Sequence, residues 1–207
     1  MLITAITPQK NNAERASIFI DGEFAFGLSM QDVLYFKLKE QQEISKKTYT
    51  YIKEQLLYIK AQDAALHYIS YQMRTESEVR KKLKTLEYGE DVIERVIDFL
   101  LKYRYVDDLS FAAAYIRQRK KSNPKGRYAL RYELRQKGVS EEVIDEALEE
   151  EPLDELDDAV RLLQKKARNL DNIDEKATKR LGAFLQRRGY SYAIIKEAMQ
   201  RVKEETV

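Results

Sequence analysis

The sequence repeats a helical pattern at a fixed spacing of 51 residues, and this repetition is its strongest constraint on the fold. The segments Val79–Leu83, Leu130–Leu134 and Leu181–Leu185 each begin and end on an apolar residue at that spacing. Further apolar pairs follow each segment, starting with Val92 and Ile93 in the first copy. Amphipathic helices match one another by chance at heptad-like spacing, but such a match rarely carries the following turn as well. The pattern therefore predicts three copies of one helical unit.

The turns between helices also match. Gly138–Ser140 and Gly189–Ser191 place a glycine where a helix ends and a serine where the next helix is capped. The first copy has Glu87–Gly89 instead, with its glycine at the serine position, so we expect that turn to differ in conformation. Thr75–Glu78 has the pattern of a capping box for the middle helix of the first copy.

Each copy also has a leading helix, predicted over about 61–72, 109–121 and 155–169. The middle helix of the second copy is predicted to start near Asn123 and Pro124, and Asp174 is the equivalent start in the third copy. A single three-helix unit buries too little surface to be stable, so the units are expected to pack in series. We assign 61–107, 108–151 and 152–207 to repeats 1, 2 and 3.

The first 45 residues have a different pattern. Two β-prone runs flank the turn sequence Asp21–Glu23, which is typical of a hairpin. We predict a small β-rich extension over 1–45 that includes a short helix from Ser29, followed by a linking helix over 46–60. The predicted fold class is mainly α, with three tandem three-helix repeats in an elongated, curved array behind this α+β extension.

Several kinds of chemistry are disfavoured by composition. The chain has no cysteine, and its single histidine, His67, lies in an apolar helical run where a packed or half-buried position is expected. No glycine-rich phosphate loop is present. We therefore expect no catalytic site, no metal and no cofactor. The amino terminus does not have the pattern of a secretory signal and no apolar run is long enough to span a membrane, so a cytoplasmic location is predicted.

Charge is polarised within repeat 2. Nine basic residues and one acid lie between Arg117 and Lys137, and eleven acids without any lysine or arginine lie between Val139 and Val160. Two interpretations follow: the two faces form salt bridges with each other, or they form a surface for a partner or DNA. Tyrosines interleaved with the basic residues are either packed or available for base stacking. The candidate basic stripe is Arg117, Arg119, Lys120, Lys121, Lys125, Arg127, Arg131 and Arg135, and the candidate acidic face is Glu141, Glu142, Asp145 and Glu149.

The segment from Ala61 to Val202 resembles the bacterial regulatory RecX family. The resemblance rests on a set of motifs in the right order: Arg74–Leu83, Tyr105–Ala112, Glu133–Ser140 and Leu185–Ser191, with a weaker match at Asp21–Gly27. Two positions depart from the family pattern. Glu87 replaces a turn glycine, and Pro124–Gly126 is less glycine-rich than expected.

This resemblance implies a regulator that binds the RecA recombinase and its filament on single-stranded DNA. It also implies inhibition of RecA in DNA recombination, repair and the SOS response, and weak direct contact with DNA. An alternative is a helix-turn-helix protein that binds duplex DNA, because each repeat has three helices. The third helix of repeat 2 is strongly acidic, however, and phosphates would repel it. A hydrolase with acidic metal ligands is a third and weaker hypothesis.

Overall fold

The computed structural model describes residues 1–9, 12–167 and 175–204. The chain folds into two compact units, Met1–Asp107 and Asp108–Val207. The first unit contains a sheet and one set of helices, and the second contains two further sets. The predicted fold class of tandem three-helix repeats behind a small β-rich extension is confirmed.

The amino-terminal extension forms a three-stranded antiparallel sheet in the order β1-β2-β3. Its strands are β1 (Ile3–Gln9), β2 (Asn12–Ile20) and β3 (Glu23–Ser29). The predicted hairpin is present, since β2 pairs with β3 in antiparallel orientation. Its turn residues Asp21 and Gly22 both adopt positive φ values, 52° and 90°. Ile18 pairs with Ile6 on one side and Phe26 on the other, which places a row of apolar side chains on the buried face.

Helices cover the buried face of this sheet. Helix α1 (Met30–Tyr35) begins where the Ser29 side chain accepts a hydrogen bond from the backbone N–H of Asp32, as the sequence predicts. The long helical segment predicted from Ser45 begins as α2 (Lys46–Tyr51) and continues through a π-helical stretch (Ile52–Leu56). It then continues into α3 (Leu57–Ser70), which is the leading helix of repeat 1.

Repeat 1 is completed by α4 (Glu76–Thr85) and α5 (Glu90–Lys102). The predicted capping box at Thr75 is present, with both of its reciprocal hydrogen bonds to Glu78 formed. Repeat 1 shares one apolar core with the sheet, and the fully buried side chains of that core include Leu83 and Ile97.

Repeat 2 consists of α6 (Asp108–Ser122), α7 (Arg127–Gln136) and α8 (Glu141–Glu150). The predicted start of α7 near Asn123 and Pro124 is wrong, since the helix begins after Gly126. Asn123 and Pro124 accept hydrogen bonds from Arg188 of repeat 3 instead.

Repeat 3 consists of α9 (Glu155–Ala167), α10 (Glu175–Arg187) and α11 (Tyr192–Glu204). Residues 168 and 169 of the predicted leading helix, and the predicted helix start at Asp174, lie outside the described residues. The six repeat-defining anchors are buried, with at most 2% of each side chain exposed: Val79, Leu83, Leu130, Leu134, Leu181 and Leu185.

The turn after the middle helix has one conformation in all three repeats. Gly138 and Gly189 have φ values of 81°, and Glu87 has a φ of 57°. In each repeat the next backbone N–H bonds to the carbonyl of the last buried leucine, at 3.2 to 3.3 Å. The expectation that the Glu87 turn would differ is therefore wrong.

The Glu87 turn tolerates a left-handed residue with a side chain because the sheet holds that side chain. Its carboxylate accepts hydrogen bonds from Ser17 Oγ at 2.5 Å and from Gln9 Nε2 at 2.8 Å. Arg15 adds a hydrogen bond to the Leu86 carbonyl at 2.9 Å. The side chain at this position thus joins repeat 1 to the sheet.

Repeats 2 and 3 meet through backbone. The N–H groups of Gly126 and Tyr128, at the start of α7, donate to the carbonyls of Arg188 and Gly189 at 2.9 and 3.3 Å. A Cβ on Gly126 would lie 2.2 Å from the Gly189 carbonyl oxygen. Only glycine permits this approach.

Candidate partner-binding surface of repeat 2

The candidate basic stripe lies on α6, α7 and the segment between them. Leu130 and Leu134 are at most 1% exposed and fix the rotation of α7 about its axis. Arg131 and Arg135 consequently lie beside α8, and Tyr128 and Tyr132 face away from the repeat core.

The predicted basic stripe and acidic face meet each other along α7 and α8. Arg131 Nη1 lies 3.0 Å from Glu141 Oε2, and its Nη2 contacts the Asp145 carboxylate. Arg135 Nε donates to Glu141 Oε1 at 2.5 Å. This hydrogen bond from Arg135 holds the pKa of Glu141 below its usual value. We refer to these contacts as the α7–α8 seam.

Repeat 1 has the same seam at the positions 51 residues earlier. Arg80 donates to both oxygens of Glu94, at 2.6 and 2.9 Å, and Lys84 Nζ lies 3.1 Å from Glu90. The hydrogen bond to Glu94 raises the pKa of Arg80. Since two repeats share it, the seam belongs to the architecture of the repeat.

Repeat 3 has replaced the seam. The four equivalent positions are occupied by Gly182, Gln186, Tyr192 and Lys196. Gly182 has no side chain that could pair with an acid, and a Cβ added there would make only an ordinary contact, 3.9 Å from Ile195 Cγ2. Repeats 1 and 2 therefore share these surface ion pairs as well as their buried anchors.

A second ionic cluster surrounds Glu133. Lys125 and Arg119 both form ion pairs with its carboxylate, and Tyr115 donates its hydroxyl proton at 2.9 Å. Burial alone would raise the pKa of Glu133, but the hydrogen bonds from Lys125 and Tyr115 lower it. The guanidinium of Arg119 also lies over the Tyr115 ring, 4.9 Å from its centroid. Arg119 and Lys125 thus have partners within the repeat.

The remaining predicted basic residues differ in their availability. Arg117 pairs with Glu151 at 2.5 Å, and Lys120 donates to the Pro152 carbonyl at 2.8 Å. Lys121 and the Arg127 side chain are exposed and form no ion pair with any residue that the structure describes.

Two exposed tyrosines lie on α7, the helix that begins with Arg127. Tyr128 is 65% exposed and Tyr132 is 59% exposed. They are separated by four residues and therefore lie on the same side of α7. The sequence left packing and base stacking open for the tyrosines of this basic segment, and these two are exposed. Arg127, the first residue of α7, lies on the side of Arg131 and Arg135 and directly precedes Tyr128. We refer to the exposed side chains of Arg127, Tyr128 and Tyr132 together as the α7 outer face.

The acidic face is also divided. Glu141 and Asp145 belong to the seam, whereas Glu142 and Glu149 are exposed. Glu142 lies in the first turn of α8, where backbone and Ser140 hydrogen bonds lower its pKa. In the described part of the chain, no group of three or more His, Cys, Asp or Glu side chains could hold a metal ion.

His67 occupies a different position from the one expected. Its side chain is exposed on α3, and Nε2 lies 3.0 Å from the hydroxyl of Tyr71. Neither residue belongs to the candidate surface. Within the described ranges, no helix has the length and apolar character needed to cross a membrane.

Family models and known proteins match this architecture. Four models match successive segments: the RecX N-terminal domain at residues 1–45 and the first, second and third RecX three-helix domains at 61–100, 107–148 and 154–199. The regulatory protein RecX of Clostridium tetani (strain Massachusetts / E88) is 36% identical over 204 residues, covering 97% of this chain and 94% of that protein. The regulatory protein RecX of Bacillus subtilis (strain 168) is 36% identical over 205 residues, covering 98% and 78%.

Solved structures agree. A crystal structure of regulatory protein RecX matches with a TM-score of 0.66 and 30% identity, covering 96% of this chain and 98% of that one. The structure of RecX from Lactobacillus salivarius matches with a TM-score of 0.66 and 29% identity, covering 71% and 97%. The chain belongs to the RecX family of regulatory proteins.

Proposed function

We propose that this protein binds the RecA recombinase and its filament on single-stranded DNA, and that it inhibits RecA in recombination and repair. Membership of the RecX family supports a regulatory role. The identity of the partner, the inhibitory direction, the link to the SOS response and action in the cytoplasm are parts of this proposal.

The observation that carries the proposal is the α7 outer face. Tyrosine and arginine are the residue types that most often dominate binding energy at protein interfaces. Here two tyrosines are more than half exposed beside an arginine that has no ion-pair partner among the described residues.

The other repeats do not have this composition at the equivalent positions. Ser77 and Lys81 replace Tyr128 and Tyr132 in repeat 1, and Lys179 and Ala183 replace them in repeat 3. The side chains that are particular to repeat 2 are therefore the aromatic ones, whereas the two basic positions of the seam are shared with repeat 1, as Arg80 and Lys84.

Because the seam arginines already have partners, they are weaker candidates for partner contact than Arg127 and the two tyrosines. A partner carboxylate or DNA phosphate that approached Arg131 or Arg135 would compete with Glu141, which already accepts from both. Arg127 has no such competitor among the described residues. We place Arg127, Tyr128 and Tyr132 at the centre of the contact, with Lys121 at its edge and the seam behind it.

The mechanism would be competition for the filament. Three similar units on one chain can occupy successive positions on a repeating target, and each contact raises the effective concentration of the next. Filament growth and strand exchange would be inhibited because the bound chain occludes surfaces that they require.

Recognition of duplex DNA by a third helix is disfavoured by charge. In repeat 2, α8 has exposed acids at Glu142, Asp145 and Glu149, and in repeat 1, α5 has exposed acids at Glu90 and Glu94. Carboxylates at these positions would repel the phosphates that line the major groove.

The test is the single-stranded-DNA-dependent ATPase of RecA, with this protein titrated in. The wild-type protein is expected to reduce ATP hydrolysis. Replacing both tyrosines (Tyr128→Ala with Tyr132→Ala) is expected to raise the concentration needed for half-inhibition by about 10-fold or more, as for the loss of two interface hot spots.

Ser77→Ala with Lys81→Ala is the matched control, because it alters the same face of the equivalent helix in repeat 1. It is expected to inhibit like the wild type. If the wild-type protein leaves the RecA ATPase unchanged at every concentration, the proposed function is wrong. If it inhibits and the tyrosine variant inhibits equally, the α7 outer face is not the contact.

A further inference from the structure

A second unusual surface lies in the amino-terminal unit, outside the repeat that carries the α7 outer face. Leu34 and Tyr35 are the last two residues of the six-residue helix α1, and they are 74% and 79% exposed. Tyr51, at the end of α2, is 43% exposed. Val33 anchors α1 in the core at 6% exposure, so the two residues that follow it face solvent.

The aromatic side chains form a continuous row. The Tyr35 and Phe36 ring centroids are 5.0 Å apart, and the Phe36 and Tyr51 centroids are 6.1 Å apart. Phe36 is partly buried against the core and supports the two exposed rings. Single exposed apolar residues are ordinary in soluble proteins, but two exposed rings joined through a third, beside the exposed Leu34, form a larger patch of the kind found at interaction surfaces.

Unpaired positive charge accompanies the row. Lys47 lies one helical turn before Tyr51, and Lys37 follows Tyr35 by two residues at the end of α1. The lysines of this segment are all exposed and form no ion pair with a described residue: Lys37, Lys39, Lys46, Lys47 and Lys53.

Two acidic side chains near these lysines, Asp32 and Glu40, already have partners elsewhere in the unit. Asp32 lies 3.4 Å from Lys60 Nζ and accepts a hydrogen bond from Ser29, and Glu40 accepts from the backbone N–H of Ile6 at 2.8 Å. The lysines therefore outnumber the acids that remain free to neutralise them, which are Glu43 and Glu54.

We propose that this α1–α2 surface binds single-stranded nucleic acid directly. Unstacked bases present flat faces to tyrosine rings, and lysine ammonium groups attract the phosphates between those bases. A duplex would offer the phosphates but not the base faces. The family resemblance implies weak contact with DNA but assigns it to no surface. The proposal assigns such a surface, in the compact unit that does not contain α7, and binding there needs no second protein.

The test is fluorescence anisotropy of a labelled oligothymidine of about 16 nucleotides, a length that covers the usual site of one such platform. The full-length protein is titrated in at several salt concentrations. Tyr35→Ala with Tyr51→Ala is expected to weaken binding at least about 10-fold, because each lost stacking contact contributes about fivefold or more.

Lysine substitutions test the electrostatic part. Lys37→Gln with Lys47→Gln is expected to reduce the slope of log Kd against log salt by about 1.4, or about 0.7 for each lost phosphate contact on a single strand. Tyr192→Ala and Lys196→Gln are matched controls, since Tyr192 is 81% exposed and Lys196 is exposed on α11. Both are expected to bind like the wild type.

Three results would overturn the inference. The first is unchanged oligothymidine binding by a folded Tyr35→Ala, Tyr51→Ala variant. The second is equal affinity for a duplex of the same length. The third is binding of a labelled oligoglutamate peptide at this surface when oligothymidine does not bind, which would identify an acidic protein segment as the ligand. The RecA ATPase test is independent, because it uses substitutions on α7.

Discussion

The turns at Glu87 and Gly189 have the same backbone and are stabilised in opposite ways. Glu87 adopts a left-handed conformation that is unfavourable for a residue with a Cβ, and hydrogen bonds from Ser17 and Gln9 offset that strain. Gly189 adopts the same conformation without strain. Because Gly189 has no side chain, Ala129 can pack directly against its backbone. The Glu87 turn is thus held to the sheet by its side chain, whereas the Gly189 turn contacts repeat 2 closely because it has no side chain.

The three repeats also differ at a second set of equivalent positions, which are Lys82, Glu133 and Phe184. Lys82 lies over the Tyr68 ring in repeat 1, and both Lys166 and Arg188 lie over the Phe184 ring in repeat 3. Glu133 stands there in repeat 2 and pairs with Lys125 and Arg119. A cation therefore takes part in the contact at this position in every repeat, as the residue itself in repeat 1 and as its partner in repeats 2 and 3.

The glycine contact can be broken by one methyl group, and this is the largest effect we expect. Gly189→Ala would place a Cβ 2.2 Å from the Ala129 nitrogen, so the free energy of unfolding should fall by about 3 kcal/mol or more. Gly22→Ala is the control, because Gly22 also has a positive φ but nothing lies within 4 Å of its added Cβ. It should cost only about 1 kcal/mol. Urea denaturation measures both, and equal losses would contradict the close contact.

The Glu87 contact can be separated into its two components. Glu87→Ala removes the acceptor of Ser17 and Gln9 and keeps the backbone strain, so we expect a loss of about 2 kcal/mol in unfolding free energy. Glu87→Gly removes the strain as well and should be about 1 kcal/mol more stable than Glu87→Ala. Thermal denaturation in which the glycine variant is the less stable of the two would show that strain at this turn is negligible.

The Glu133 cluster predicts a pH dependence. Glu133→Gln should reduce the unfolding free energy by about 2 kcal/mol at pH 7, since Lys125 and Arg119 lose a charged acceptor. The pKa of Glu133 is lowered in the folded state, so its stabilisation is present above the unfolded pKa and is lost as pH falls through the folded value, below 4.5. The variant should therefore lose less stability than the wild type on acidification. Glu149→Gln is the control and should follow the wild-type curve.

The seam is expected to give the smallest effect. Arg131→Ala should lower Tm by no more than about 3 °C at low salt, because surface ion pairs are weak individually. The difference from wild type should shrink in 1 M NaCl, where charge is screened. Arg80→Ala in repeat 1 should behave alike, and a Tm loss that does not depend on salt would show that packing, not charge, holds the seam.

Apolar spacing was sufficient to predict the repeats. Leu83, Leu134 and Leu185 recur at the 51-residue spacing because each must fill the same position in a three-helix core. The Ser29 and Thr75 caps were also predictable, since capping depends on residues within one turn of the chain. Local and periodic signals are the ones that a single sequence contains directly.

Contacts across long sequence separations were not predictable. Ser17 and Gln9, the partners of Glu87 in the sheet, lie 70 and 78 residues away along the chain. The sequence therefore indicated a missing glycine but not the hydrogen bonds that replace it. The polarised charge of repeat 2 left two interpretations open, and the seam shows that Arg131 and Arg135 pair within the repeat. Comparing Arg131 and Asp145 with Arg80 and Glu94 at the 51-residue spacing would have revealed this from sequence alone.

The glycine pair of repeats 2 and 3 restricts which repeats can be neighbours. Gly126 corresponds to the capping Thr75 of repeat 1, and Gly189 corresponds to Glu87. Repeat 1 moved to the position of repeat 3 would present a glutamate where Ala129 requires empty space. A copied repeat can join both neighbours in this way only if it has glycine at both positions. Repeat 2 has them at Gly126 and Gly138, whereas repeat 1 has Thr75 and Glu87 and repeat 3 has Ala177 in place of the first glycine.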